Sequence, residues 1–358
     1  MKKQHLAWLI IWFIIWTLAL FPAAGALAQE TLPPAHEMAG FTHIPQQWNN
    51  CGPATLTMGL TYFGVPADQS PAANWLKPNT EDGNVSPQQM VDYVNTQLPG
   101  TTRALMRVGG TVERLKQLIA ADFPVIIEAG YDPEPERLGW MGHYLLVMGY
   151  DDGARLFKTQ DSYLGPNITY SYEHIEQFWH HFNNTYIVLY DFSREQDVLT
   201  LLGDDADQTQ NYLNALEMNR QLALTNPNDA FTWFNLGTNY LALANFDAKG
   251  YEYAAAAYDQ ARNLGLPWRM MWYQFGPYEA YNAVGRYDEV IELARVLLNE
   301  PGTSQHIEET YYYAGVAREG LGERDRALAN YQEALNQNKN FTPARDAINR
   351  LQAAASGG

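Results

Sequence analysis

The chain has 358 residues, room for about two or three domains, and its 23 Lys plus Arg against 40 Asp plus Glu leave a formal charge of −17. That balance excludes a nucleic-acid binder working by phosphate neutralisation, and 46% apolar with 13% aromatic residues exclude disorder as the main state. A single cysteine, Cys51, excludes an intramolecular disulfide and any cysteine-built zinc or iron–sulfur cluster.

Residues 1–28 read as an export signal: Lys2 and Lys3, an apolar run from Leu6 to Phe21, then Pro22 and small residues ending Ala26-Leu27-Ala28. Cleavage before Gln29 removes two positive charges and leaves −19. The expectation is a secreted or extracytoplasmic protein. The alternative is an uncleaved anchor, which is also the one route to a membrane, although the run is shorter than the roughly 20 residues that span a bilayer. An unpaired thiol in an oxidising compartment has to be buried or used.

From residue 36 to 195 helix and strand patterns mix. Strand-like runs occur at Phe123–Ala129, His143–Tyr150, Arg155–Thr159 and Thr185–Tyr190. Helix starts are marked by Ser86-Pro87, Thr111 and Ser171. The pattern predicts an α+β domain. After Asp191 the pattern becomes helical to the end, with a boundary near residues 192–205.

Within the region 204–354 three segments align on themselves. Trp233-Phe234-x-Leu236-Gly237-x-x-Tyr240 with Tyr258 and Ala261 heads the first, Tyr281 to Gly285 with Ala294 and Leu297 marks the second, and Tyr311-x-x-Ala314-Gly315 with Tyr331 and Ala334 the third. The equivalent positions Ala254, Val290 and Ala327 step by 36 and 37 residues. That is close to the helix–turn–helix unit of the tetratricopeptide repeat, so an all-α repeat solenoid is predicted, with a protein or peptide partner on its concave face. Gly276-Pro277 falls inside the first helix of the second repeat. Asp207–Leu224 reads as a preceding capping helix and Pro343–Leu351 as a terminal one.

Cys51 stands ahead of an amphipathic run, Thr55–Phe63, that ends at Gly64. Asn49 or Asn50 can cap the helix and Pro53 suits its first turn, so the thiol is predicted at a helix N-terminus, a position that favours a thiolate. Among the eight histidines, His143 begins the strand Gly142-His143-Tyr144-Leu145-Leu146-Val147 and is the candidate base. A turn at Asp151-Asp152-Gly153 brings the following strand, and with it Asp161, beside His143. Nucleophile, base and orienter then come in the order Cys, His, Asp.

At Gln46-x-x-x-x-Cys51-Gly52-Pro53-Ala54, at Gly142-His143-Tyr144 with Gly149-Tyr150-Asp151-Asp152, and at the Asp161 segment, the chain resembles the papain-like cysteine peptidases. The likeness is to the bacteriocin-processing (double-glycine) peptidase group. It covers roughly residues 40–190 and implies a papain-like fold with Cys51 as nucleophile, His143 as general acid/base and Asp161 as orienter. Gln46 with the Cys51 N–H would form the oxyanion hole, Gln47 being the other candidate. The implied activity is hydrolysis of a peptide or protein substrate, with no cofactor and no metal. A catalytically inactive scaffold that binds peptides and a thioester-forming acyltransferase are the alternatives. His180-His181 lacks further ligands at metal spacing, Asp204-Asp205-x-Asp207 lacks the glycine and distal glutamate of a calcium loop, and Asn84, Asn167 and Asn183 head glycosylation sequons.

Overall fold

Two-residue alternation along the central strands, broken by a bulge at Met148, sorts their side chains into two cores. Ile126, Tyr144, Leu146, Ile187 and Leu189 point to one face, while Val125, Ile127, Leu145, Val147 and Val188 point to the other. The computed structural model describes residues 32–132 and 139–356, and the elements below lie in one unit, 34–358. The expected export signal at 1–28 lies outside the described residues.

The seven strands are β1 (Ala35–Glu37), β2 (Thr102–Arg107), β3 (Val125–Tyr131), β4 (Met141–Asp151), β5 (Leu156–Asp161), β6 (Gly165–Ser171) and β7 (Tyr186–Asp191). They run in the order β2-β7-β3-β4-β5-β6, with β1 paired to the far end of β4, and all pairs are antiparallel. The runs expected around residues 123–129, 143–150, 155–159 and 185–190 are all strands. β1, β2 and β6 went unanticipated. β6 starts at Gly165-Pro166-Asn167, residue types that carry no strand signal, and is a strand because β5 offers it an edge.

Helices α1 (Cys51–Thr61), α2 (Ser70–Leu76) and α3 (Pro87–Gln97) cover one face of the sheet; α4 (Val112–Ala120), α5 (Tyr172–Trp179) and α6 (Glu195–Leu202) cover the other. The expected caps form. Ser86 and Gln89 make a reciprocal capping box, Thr111 accepts from the Arg114 N–H, and Ser171 accepts from the His174 N–H. α1 is buried on all sides from Gly52 to Leu60, as a helix must be when sheet and helices enclose it. Gly59 makes that fit possible, since a Cβ there would lie 2.6 Å from the Leu189 Cδ1.

One expectation at α1 fails: no asparagine side chain caps it. Asn50 occupies the cap position, but its Nδ2 donates to Gln69 Oε1 at 2.9 Å and its Oδ1 accepts from Lys77 Nζ at 3.5 Å. Asn49 adopts a left-handed φ of 54° and donates instead to the Glu81 carbonyl and to Thr303 Oγ1.

From residue 208 onward the chain is all-helical: α7 (Gln208–Thr225), α8 (Ala230–Ala242), α9 (Gly250–Leu264), α10 (Met270–Tyr273), α11 (Gly276–Ala283), α12 (Tyr287–Asn299), α13 (Glu308–Gly320), α14 (Arg324–Gln337) and α15 (Thr342–Ser356). The fold is therefore an α+β domain followed by a tetratricopeptide-type helical array. Ala254, Val290 and Ala327, the positions aligned by self-similarity, are all fully buried. At equivalent places in the first and third repeats a tyrosine packs on a glycine of the partner helix: a Cβ on Gly237 would come 2.6 Å from Tyr258, and one on Gly315 2.5 Å from Tyr331. Gly276-Pro277 does not interrupt a helix, as the sequence suggested, but opens α11, where a missing N–H costs nothing. The short α10 is inserted before it.

The two regions are fastened at both ends of the array. Asn211 bonds both backbone groups of Val108, at 3.0 and 2.9 Å, and Val198 and Leu202 bury themselves in the sheet core. His180 pairs with Asp229 at 2.9 Å, and the His181 ring stacks on Phe231 with 3.7 Å between centroids. At the far end Asn338 and Asn340 donate to the Leu76 and Trp75 carbonyls. Asn84 and Asn183 are buried at or near these joints, whereas Asn167 is exposed. Among the described residues no helix is long and apolar enough to cross a membrane, and no group of three or more His, Cys, Asp or Glu side chains is arranged to hold a metal.

Candidate active site

Register decides which side chains meet. In the β4–β5 ladder Leu145 faces Asp161 directly, so His143, two residues along the same face, is its diagonal neighbour. The His143 Nε2 lies 2.9 Å from the Asp161 Oδ1, and both side chains are buried, with 5% and 0% of their surface exposed. α1 packs on the opposite face of the sheet, so Cys51 and His143 meet at the end of β4 rather than over its middle. There the imidazole and the Cys51 side chain lie beside each other on the cleft lining.

Asp161 is held by more than the histidine. Its Oδ1 also accepts from the Tyr163 and Leu164 N–H groups at 2.8 and 3.0 Å, and its Oδ2 accepts from the Tyr170 hydroxyl at 2.7 Å. Burial pushes this carboxyl up, but those donors and the His143 charge outweigh it and hold it at about 2. Burial likewise pulls the His143 imidazolium down, and the bonds and charges of Asp161 and Cys51 more than reverse it, to about 10. The ring is thus an imidazolium at neutral pH, tilted against Tyr131 with centroids 5.3 Å apart.

The loop before α1 is cross-braced. Gln69, itself buried, accepts from the Gln47 N–H and the Asn50 amide and donates to the Pro45 carbonyl. Gln46 donates its N–H to the Ser162 carbonyl, while the Ser162 hydroxyl donates to the Gln46 Oε1 at 2.9 Å. With Oε1 occupied, the end of the Gln46 amide left to act on a ligand is its NH2 donor. Gln46 and Gln47 both line the cleft, but Gln46 alone is tied to the residue following Asp161.

A cleft of about 470 Å³ opens over Cys51 and His143, with Gln46, Trp48, Tyr131, Met141 and Tyr163 among its lining residues. Beneath it Glu128 and Tyr144 face each other across β3 and β4. Burial pushes the Glu128 carboxyl well above its usual range, so it is neutral, and the Tyr144 hydroxyl donates to the Val85 carbonyl at 2.7 Å.

The sequence-predicted Cys51, His143 and Gln46 line this cleft, and Asp161 lies buried behind His143. Sequence reasoning missed Ser162, Tyr170, Gln69 and Glu128, as well as Arg269, Trp272, Tyr273 and Thr303, which reach the cleft from the helical array. Ser162 adjoins a predicted residue and could have been suspected. For the rest no spacing points to the site.

Residues 32–187 match the model of the Peptidase_C39 like family. Among solved structures, one described as a C39-like peptidase from Bacillus anthracis is 19% identical, with a TM-score of 0.36, and the match covers 44% of this chain and 98% of that one. MamA from Desulfovibrio magneticus RS-1 is 14% identical with a TM-score of 0.34, covering 41% and 77%, and a further MamA crystal structure is 16% identical, also at 0.34, covering 43% and 85%. No curated protein matches.

Proposed function

Starting from a C39-like peptidase domain at residues 32–187 with a helical-repeat array behind it, we propose that this chain is an exported cysteine peptidase. The observation that carries the reading is the relay from Cys51 through His143 to a fourfold-held Asp161 at the floor of an open cleft.

His143 holds the Cys51 proton as an imidazolium, and the sulfur attacks the carbonyl of a bound peptide bond. The carbonyl oxygen becomes an oxyanion that accepts from the Gln46 amide and the Cys51 N–H, the first of the helix. His143 gives its proton to the departing amine, leaving a thioester on Cys51. It then takes a proton from water, whose oxygen attacks the thioester and releases the acid. Asp161 stays ionised throughout and keeps the His143 Nε2–H directed at itself, so that Nδ1 serves the sulfur. The repeat array binds protein or peptide.

The test is turnover of fluorescein-labelled casein and of a quenched-fluorescence peptide library. Release by the wild-type chain, absent in Cys51→Ala and not diverted to an added hydroxylamine acceptor, supports hydrolysis. Absence of release with an ordinary His143-independent thiol reactivity sinks it in favour of a peptide-holding scaffold, and quantitative diversion to hydroxylamine favours acyl transfer. Export rests on Lys2, Lys3 and the apolar run to Phe21. It predicts a secreted form beginning at Gln29, read by N-terminal sequencing.

A further inference from the structure

The cleft over Cys51 is not built by the sheet domain alone. Its far wall is Arg269, Trp272, Tyr273 and Thr303, all from the helical array: three from the α10 segment inserted between two repeats, one from the turn before α13. Two glycines of the sheet domain accept that wall at close range. A Cβ on Gly142, the residue before His143, would lie 3.0 Å from the Tyr273 ring, and one on Gly83 would lie 2.3 Å from the Thr303 Cγ2. Tyr273 packs directly on Gly142, and Thr303 accepts from Asn49 at 3.3 Å, across a separation of 254 residues. The array is therefore joined to both lips of the site, to the strand that carries the histidine and to the loop that carries the cysteine.

The chemistry of the enclosed space is aromatic. Trp48, Tyr131, Met141 and Tyr163 face Trp272 and Tyr273 across it. Arg269 is the charged group that the array contributes to the lining; it donates to the Trp140 carbonyl at 3.3 Å and lies over the Trp268 and Trp272 rings, 4.6 and 5.4 Å from their centroids. Trp272 itself keeps its Nε1–H buried without a partner, a cost that phenylalanine at this position would avoid. What the wall uses is a flat aromatic face, not the indole N–H.

We propose that α10 is the specificity wall of the site, and that Trp272 and Tyr273 select an extended peptide carrying a bulky apolar side chain next to the residue being cleaved. This inference rests on the cysteine-peptidase reading. It makes the repeat array part of the peptidase cleft rather than a separate docking module.

The experiment compares three reagents on the full chain: iodoacetamide, which needs no subsite, and two dipeptidyl acyloxymethyl ketones with Phe-Ala or Asp-Ala ahead of the ketone. In each ketone the Cys51 sulfur displaces the acyloxy group as a carboxylate and forms a thioether. Wild type should label about 10- to 100-fold faster with the Phe-Ala reagent than with the Asp-Ala one. Trp272→Ala should lose most of that ratio while its iodoacetamide rate stays within about twofold. Trp272→Phe should retain the ratio and melt no lower than wild type. Trp272→Leu, which keeps the wall apolar if the alanine variant fails to fold, should lower the ratio by a smaller factor. A ratio near unity in wild type, or one unchanged in both the Ala and Leu variants while iodoacetamide still reacts in a His143-dependent way, overturns the wall and leaves the peptidase reading standing. Iodoacetamide labelling indifferent to His143→Ala overturns both.

Discussion

The sheet domain and the helical array bury different things. Around β4 the interior holds charge and hydrogen-bonded chains: the His143–Asp161 pair, neutral Glu128 behind Tyr144, and Gln69 bracing the loop before Cys51. The core of the array consists mostly of aromatic rings on small residues, with Tyr258 on Gly237 and Tyr331 on Gly315. A buried polar group is costly unless every partner is present, so the first kind of interior is tolerated where it does something. The second kind contributes packing and can be repeated along the chain. Substitutions in the sheet interior should therefore cost rate more than stability, and those in the array seams stability more than rate.

The sharpest break of that contrast is Cys51→Ala. It should remove at least about 10⁴-fold of the casein turnover while leaving the urea midpoint near that of wild type, because a half-buried thiol at a helix start contributes little packing. A large stability loss in this variant would erase the distinction. Tyr258→Ala reverses the pattern. The ring is fully buried between Gly237 and Gly276, so its loss should cost about 3–5 kcal/mol of unfolding free energy by urea titration. Iodoacetamide reactivity of Cys51 under native conditions should change little.

Asp161→Asn keeps the shape but removes the charge that fixes the imidazolium, and turnover should fall by about 10²-fold. It should also take away the acid limb of stability described below. Gly315→Ala tests the seam more gently: the new methyl meets Tyr331 at 2.5 Å, and overpacking of that kind should cost about 1–3 kcal/mol in the same titration. No cost would mean the ring swings aside.

The last effect is in pH. His143 is raised on folding from 6.5 to about 10, so its contribution to stability is full below pH 6.5 and fades as pH rises through about 10. Asp161 is lowered from 3.8 to about 2, so its contribution is full above pH 3.8 and fades as pH falls through about 2. The pair should give a plateau between pH 3.8 and 6.5 with a decline on either side. His143→Gln should remove its alkaline share, which urea midpoints across pH 4 to 10 would reveal.

Much of this was legible in the chain itself because the determinants are short-range. Ser86, Thr111 and Ser171 announce helix starts through bonds to residues three positions on, and the spacing of Ala254, Val290 and Ala327 announces a repeated helix pair. Local patterns misled where a distant partner claimed the same side chain. Asn50 is a good cap by type, but Gln69 and Lys77 take its amide. β6 starts at Gly165-Pro166-Asn167, residue types that carry no strand signal, because β5 pairs with it.

Residue types and spacing determined that this chain has one possible sulfur nucleophile, a histidine at the head of an apolar strand, an acid one strand later and a helical array behind. Those are properties of short segments, set by backbone preference and side-chain period. Only the tertiary structure decided that the cysteine and histidine come from helices and strands on opposite faces of the sheet and meet at its end. It alone decided, too, that Trp272, Tyr273 and Thr303 close the cleft over them. Contacts across such separations depend on how close-packed surfaces happen to fit, and nothing in the local spacing of the residues encodes that fit.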